Sequence, residues 1–290
     1  MVQIVESLAQ ISDRYDAVFC DLWGCLHDGV TAIPEAVEAL RAFRAKGKKV
    51  VLLTNAPRSR VEVAKQLVQF NVPDDCWDTI ATSGDSARSA MFRGAIGEKV
   101  WFMGFNTDMG FFDPIKVVQN PVSITQVPLE EATGIACLGP FDPIADPDVN
   151  RPEFLYAKQK GLKLLCANPD IVVDRGDVRE WCAGALAALY TEMGGESLYF
   201  GKPHPPVYDL ARRRLEELGG TTPDSRILCI GDGIGTDIKG ALGEDLDSLF
   251  VTGGLARAET KTDKQPQQDA LDAFVSDQMI TPTYAIGYLR

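Results

Sequence analysis

The stretch AVFCDLWGCLHDGVTAIPEAVEALRAFRAKGKKVVLLTN, residues 17–55, decides the fold. It opens with a short apolar run, AVFCDLW at 17–23, and closes with another, KKVVLLTN at 48–55. Both are rich in β-branched and apolar side chains and end in polar residues, as buried strands do. Between them PEAVEALRAFRAKGKK repeats Val37, Leu40 and Phe43 at helical spacing, with Pro34 at its start and Gly47 near its end. Strand, helix and strand in this order make a βαβ unit of a parallel sheet. Two further apolar runs, KLLCAN at 163–168 and RILCIGD at 226–232, continue the alternation and predict an α/β fold. A second helix, SRVEVAKQLVQF at 59–70, begins with Ser59 in capping position, so its positive end faces back toward the end of the second strand.

The middle of the chain has a different texture, with more turns and prolines and the segment GPFDPIADPDVNRP at 139–152, whose Pro and Asp density predicts an ordered loop. That shift predicts two domains: a discontinuous core of residues 1–83 and 196–290, and an inserted domain of residues 84–195. No long linker is needed for a domain placed within a loop of another. The segment DKQPQQD at 263–269 reads as a polar surface loop.

The 290 residues are 45% hydrophobic and 24% charged, which suits a globular core and excludes disordered or collagen-like chains. With 29 basic and 41 acidic residues the formal charge is −12, which argues against nucleic acid or an anionic membrane surface as partner. No apolar run reaches the roughly 18 residues of a membrane span, and the N-terminal segment lacks a signal-peptide pattern, so the expected location is cytoplasmic. Seven cysteines form no CxxC pair and sit in apolar surroundings, so they read as reduced packing residues.

In an open α/β sheet, ligands bind beyond the carboxyl ends of the strands, so polar residues that end buried strands are the first functional candidates. Here these are Asp21, Thr54 with Asn55, Lys202 in LYFGKPHPP, and Asp232 with Asp237 in CIGDGIGTDIKGA. Any one carboxylate can simply cap a helix or solvate a loop. Taken together they supply a carboxylate nucleophile, a hydroxyl and amide for phosphate oxygens, a lysine, and acids for a divalent ion, which are the components of phosphoryl transfer through an aspartyl-phosphate. GDGIG is not a dinucleotide fingerprint, because Thr236 stands where a third glycine is required.

The ordered set DLWGCLHDG, LLTNAPRS, GKPHPPVY and GDGIGTDIKGA resembles the haloacid dehalogenase-like (HAD) hydrolase superfamily, and CANPD at 166–170 resembles its class IIA, nagD-type branch. The resemblance spans residues 15–256 and implies a Rossmann-like parallel-sheet core with a smaller inserted α/β cap. It implies Asp21 as nucleophile, Thr54 and Asn55 on the transferred phosphoryl, Lys202 stabilising it, and Asp232 on magnesium. Asp237 would bind the metal or orient groups around it and Lys202. The backbone carbonyl of residue 23 is the usual further metal ligand. The implied activity is hydrolysis of small phosphorylated metabolites. The implied cap sets specificity, with Asn168 and Asp170 at its edge; the local alternative is a turn built from Asn, Pro and Asp. Arg175 is a further candidate for an acidic group on the substrate, with a solvated role as the alternative. The class allows a homodimer through the cap.

One position departs from the pattern. Family phosphatases usually carry a second aspartate two residues after the nucleophile, as general acid and base, and here that position is Trp23. An indole N–H does not exchange protons near neutral pH. Three outcomes follow: a phosphatase with an impaired or relocated acid, a different reaction on the aspartyl ester, or a regulatory protein that binds phosphometabolites with little turnover. His27 and Asp28 are the candidate replacement donors, against a plain reading in which Asp28 and Gly29 shape a turn. His204 reads as a helix-start residue. A bulky aromatic also resembles dehalogenases that use no metal, but GDGIGTD keeps the acids a metal needs.

Overall fold

The computed structural model describes residues 1–105, 110–113, 118–175 and 178–290. The chain divides into two compact units, the first comprising Met1–Thr54, Ala64–Ala81 and Lys202–Arg290, and the second Asn55–Val63 and Thr82–Gly201.

Seven strands form the sheet of the first unit: β1 (Gln3–Ile4), β2 (Ala17–Cys20), β3 (Lys49–Thr54), β4 (Thr79–Thr82), β12 (Ile227–Gly231), β13 (Asp247–Val251) and β14 (Tyr284–Ile286). Their order is β1-β14-β13-β12-β2-β3-β4, and β12 pairs in parallel with β2, as β2 does with β3. Successive strands from β2 run outward to one edge and those from β12 to the other, so the order reverses between β2 and β12. In open α/β sheets ligands bind beyond the strand ends at such a reversal.

Helix α1 (Pro34–Ala45) buries Val37, Leu40 and Phe43, the stripe read from the sequence, together with Ala36. It starts at Pro34, and the chain leaves it through Gly47 at φ +78°, a left-handed conformation that stops the helix. Helix α2 (Arg60–Gln69) follows Ser59, whose Oγ accepts from the Glu62 N–H at 3.3 Å, so Ser59 does cap it. Helix α6 (Pro205–Glu216) lays Val207, Tyr208, Ala211 and Leu215 against Ala17 and Phe19 of β2 and Val51 and Leu53 of β3. The first unit also holds α7 (Lys239–Gly243) and α8 (Gln268–Gln278).

The second unit is α/β as well. Its parallel sheet runs β11-β8-β7-β5-β6, built from β5 (Lys99–Met103), β6 (Thr125–Gln126), β7 (Gly134–Cys137), β8 (Lys163–Cys166) and β11 (Glu196–Tyr199). The two-residue period of a strand is visible in β7 and β8. Ile135, Cys137, Leu164 and Cys166 pack with α4 (Arg151–Gln159) and α5 (Ala183–Glu192), whereas Ala136 and Leu165 pack with α3 (Ser83–Phe92). Strands β9 (Val172–Arg175) and β10 (Val178–Trp181) pair antiparallel. The Pro-rich segment 139–152 is largely non-helical, with one 3₁₀ turn at Pro147–Asn150 that leads into α4. All seven cysteines are buried and free. Among the described residues no helix is long and apolar enough to cross a membrane.

Candidate active site

The site grows from the ends of β2 and β12. Asp21 directly follows β2, and its N–H donates to the Ile230 carbonyl of β12 at 2.8 Å, so the ladder fixes its backbone. Asp232 directly follows β12 and is only 5% exposed. Lys202 is 3% exposed, and its Nζ donates to Asp21 Oδ1 at 2.6 Å and to Asp237 Oδ1 at 2.7 Å. Asp237 reaches the lysine because the chain after Gly233 makes a wide helical turn in which the Gly233 carbonyl accepts from both Asp237 and Ile238 N–H groups. The other carboxylate oxygen, Oδ2, accepts from the Gly233 N–H at 3.1 Å. Thr54, the last residue of β3, and Asn55 are both buried.

Electrostatically the site holds more negative charge than it comfortably bears. Burial, then the neighbouring charges of Asp21 and Asp237, raise the Asp232 carboxyl well above the usual carboxylate range. Burial pushes Asp237 up to about 6, against the opposing pull of Lys202. Ligand atoms of Asp21, Asp232 and Cys25 all lie within 4.8 Å of one another. The Asp232 carboxylate lies tight against the backbones of Gly24 and Gly254, and a β-carbon at either position would collide with it. Gly24 also has φ +75°, so its lack of a side chain is required twice over. Buried carboxylates held beside each other, with the single Lys202 ammonium reaching Asp21 and Asp237, suit a hard divalent cation.

A family model for the haloacid dehalogenase-like hydrolases matches residues 18–113, and a second, HAD-hydrolase-like, matches residues 199–277. A crystal structure of a haloacid dehalogenase-like hydrolase from Brucella suis 1330 is 35% identical, covers 99% of this chain and 100% of its own, and superposes with a TM-score of 0.85. This chain belongs to the haloacid dehalogenase-like hydrolase family. The 5'-nucleotidase YutF of Bacillus subtilis is 26% identical over 95% of this chain and 96% of its own. A glycerol phosphate phosphatase from Mycobacterium tuberculosis in complex with magnesium shares the fold, with a TM-score of 0.69 at 23% identity over 95% of this chain and 76% of that one. The Rossmann-like parallel sheet and the smaller α/β cap anticipated from the motifs are thus those of a class IIA HAD hydrolase.

Within the hydrolase the other expected site residues fall into place unevenly. Trp23 is half-buried; its indole packs over Gly29, where a β-carbon would collide with it, and meets the His27 ring edge-on with centroids 5.6 Å apart. His27 is buried, its Nδ1 accepts from the Gly29 N–H at 3.1 Å, and desolvation lowers its pKa to about 4. Asp28 is exposed, and its Oδ1 accepts from the Val30 and Thr31 N–H groups at 2.9 and 2.8 Å, which hold it as a carboxylate. Both side chains take part in the turn, His27 through Nδ1 and Asp28 through Oδ1. His204 precedes α6, as its helix-start reading implied.

The Asn55 side-chain amide donates from Nδ2 to Asp170 Oδ1 at 2.8 Å, so Asn55 and Asp170 address each other. Asn168 Oδ1 accepts from the Asp170 N–H at 3.1 Å, the turn that its local sequence allowed. The Arg175 side chain lies outside the described part of the structure. Cys25, read from the sequence as a reduced packing residue, is free and buried, and what the sequence reading missed is its closeness to Asp21 and Asp232. Its place four residues after Asp21, in DLWGCL, was the available signal.

Proposed function

We propose that this hydrolase is a magnesium-dependent phosphatase of small phosphorylated metabolites that works through an aspartyl-phosphate on Asp21, with Trp23 in place of the usual general-acid aspartate. The observation that carries this reading is the buried Lys202 ammonium bridging Asp21 and Asp237 while Asp21 and Asp232 share one cluster. Asp21, Asp232 and the Trp23 carbonyl would hold magnesium, which would neutralise phosphate charge so that one anion can approach another. Asp237 was a candidate direct ligand. Its two oxygens face Lys202 and the Gly233 N–H, so its proposed role is to orient the lysine.

In the first step a carboxylate oxygen of Asp21 attacks phosphorus as the bond to the leaving oxygen breaks. Lys202 holds that carboxylate in place and offers positive charge to the phosphoryl oxygens. Thr54 and the backbone at Asn55 are proposed for the remaining phosphoryl oxygens, because the Asn55 amide is already turned to Asp170. The leaving oxygen takes its proton from solvent, since Trp23 has none to give. Water then attacks the phosphorus of the acyl phosphate as the bond from phosphorus to the Asp21 oxygen breaks, its proton passing to solvent, which frees the carboxylate and inorganic phosphate. Relatives named for a nucleotide and for glycerol phosphate support small phosphate monoesters as the substrate class.

The test is hydrolysis of an aryl phosphate, whose leaving group needs little help from an acid. Magnesium-dependent release that disappears in Asp21→Asn is the expected result. No release above the Asp21→Asn control, across a broad panel of phosphate esters, would instead favour a protein that binds phosphometabolites without turning them over.

A further inference from the structure

Cys25 is 1% exposed, and its Sγ lies within 4.8 Å of carboxylate oxygens of both Asp21 and Asp232. Among the described residues it accepts or donates no side-chain hydrogen bond, whereas Cys20, Cys76 and Cys166 each donate to a backbone carbonyl at 3.2, 3.1 and 3.3 Å. A buried thiol without a hydrogen bond of its own thus sits beside two acids. Magnesium, a hard ion, gains nothing from sulfur. A soft ion gains a great deal.

We propose that Cys25 makes this cation site a receptor for thiophilic divalent cations of the zinc and cadmium class, with Cys25, Asp21 and Asp232 as the three protein ligands. The inference rests on the cation site of the proposed function, though not on turnover. A tetrahedral ion with a metal–sulfur bond of about 2.3 Å and metal–oxygen bonds of about 2.1 Å sets its ligand atoms roughly 3.6 Å apart. From a spacing of at most 4.8 Å, the three atoms need to close in by only about 1 Å. As the bond to sulfur forms, the thiol proton leaves to solvent, so the ion meets three anionic ligands. Such an ion excludes magnesium from the same carboxylates, and traces of it would silence a phosphatase that magnesium activates.

Cadmium is the probe, because its bond to thiolate gives an ultraviolet charge-transfer band that oxygen ligands do not give. Titrated into metal-free full-length protein, it should raise this band to saturation at one equivalent. The band should vanish in Cys25→Ser, persist in Cys20→Ser, and saturate at higher cadmium when magnesium is in excess. A ¹¹³Cd resonance in the sulfur-ligated range from the wild-type protein checks the same point without any variant, should Cys25→Ser fail to fold. An all-oxygen resonance, a band that survives in Cys25→Ser, or indifference to magnesium would each overturn the proposal. If the band appears while aryl phosphate is not hydrolysed, the phosphatase reading falls and this one stands; the reverse result leaves the phosphatase and removes the thiol.

Discussion

In the proposed mechanism Trp23 is the residue on which the chemistry turns. Its indole fills the space over Gly29 and meets the His27 ring in the turn that follows Asp21, so under the proposed mechanism packing stands where a proton carrier would act. Proton donation by a positioned side chain is worth about 10² to 10⁴ in rate, and most where the leaving group is basic. Trp23→Asp should therefore raise turnover of alkyl phosphates on the order of a hundredfold and of aryl phosphates far less. Trp23→Asn, equal in size but without the exchangeable proton, should give neither gain. Equal gains for both substrate classes, or the same gain in both variants, would mean that room in the site limits the rate.

The segment from Asp21 to Ile33 behaves as one element, although it is neither helix nor strand. The Leu22 carbonyl accepts from Leu26 and His27 N–H groups, the His27 carbonyl accepts from Gly24, and Ile33 donates to Leu26. The His27 ring lies between Trp23 and Phe70, with centroids 5.6 and 4.9 Å away. Desolvation lowers its pKa from 6.5 to about 4, so the unfolded chain holds the His27 proton more tightly than the native one. Native stability from this residue is thus fully present above pH 6.5 and is lost as pH falls toward 4, by about 3 kcal/mol at most. Urea midpoints should fall across that window more in the wild type than in His27→Gln, which keeps an acceptor for Gly29 but cannot be protonated there. Matching slopes would show that His27 is protonated in the native turn. Sequence patterning could not expose such detail. The βαβ unit of residues 17–55 was legible because burial forces a period on its strands and helix, and Asp21 and Asp232 were legible because they end apolar runs. The aim of Cys25 depends on Gly24 at φ +75°, and the partner of the Asn55 amide lies 115 residues away at Asp170, so neither leaves a local trace. In the second unit β5, β7 and β11 are four or five residues long, as β2 and β12 are, but the prolines and turns between them hide the alternation of strand and helix that made the core strands legible.

For the whole molecule the governing fact is charge. A chain of formal charge −12 gathers Asp21, Asp232 and Asp237 in one buried place, with Lys202 reaching two of them. Buried like charges oppose folding unless a counter-charge meets them, and the raised pKa values of Asp232 and Asp237 express that tension. A divalent cation bound in the native state alone would relieve it and stabilise by mass action, by about 2.7 kcal/mol at a hundredfold excess over Kd. Magnesium should accordingly raise the thermal midpoint of the unfolding step that includes the seven-stranded sheet by roughly 5 to 10 °C. Sodium at equal ionic strength should do much less, because general screening does not place a cation between two particular carboxylates. Asp232→Asn removes one of the two charges that would hold the ion, and it should be at least as stable as the wild type without magnesium yet gain nothing when magnesium is added. Differential scanning calorimetry of the two proteins, with and without the ion, separates the effects. If magnesium shifts both midpoints equally, the ion is acting elsewhere on this acidic surface, and the carboxylates at the strand ends are not its site.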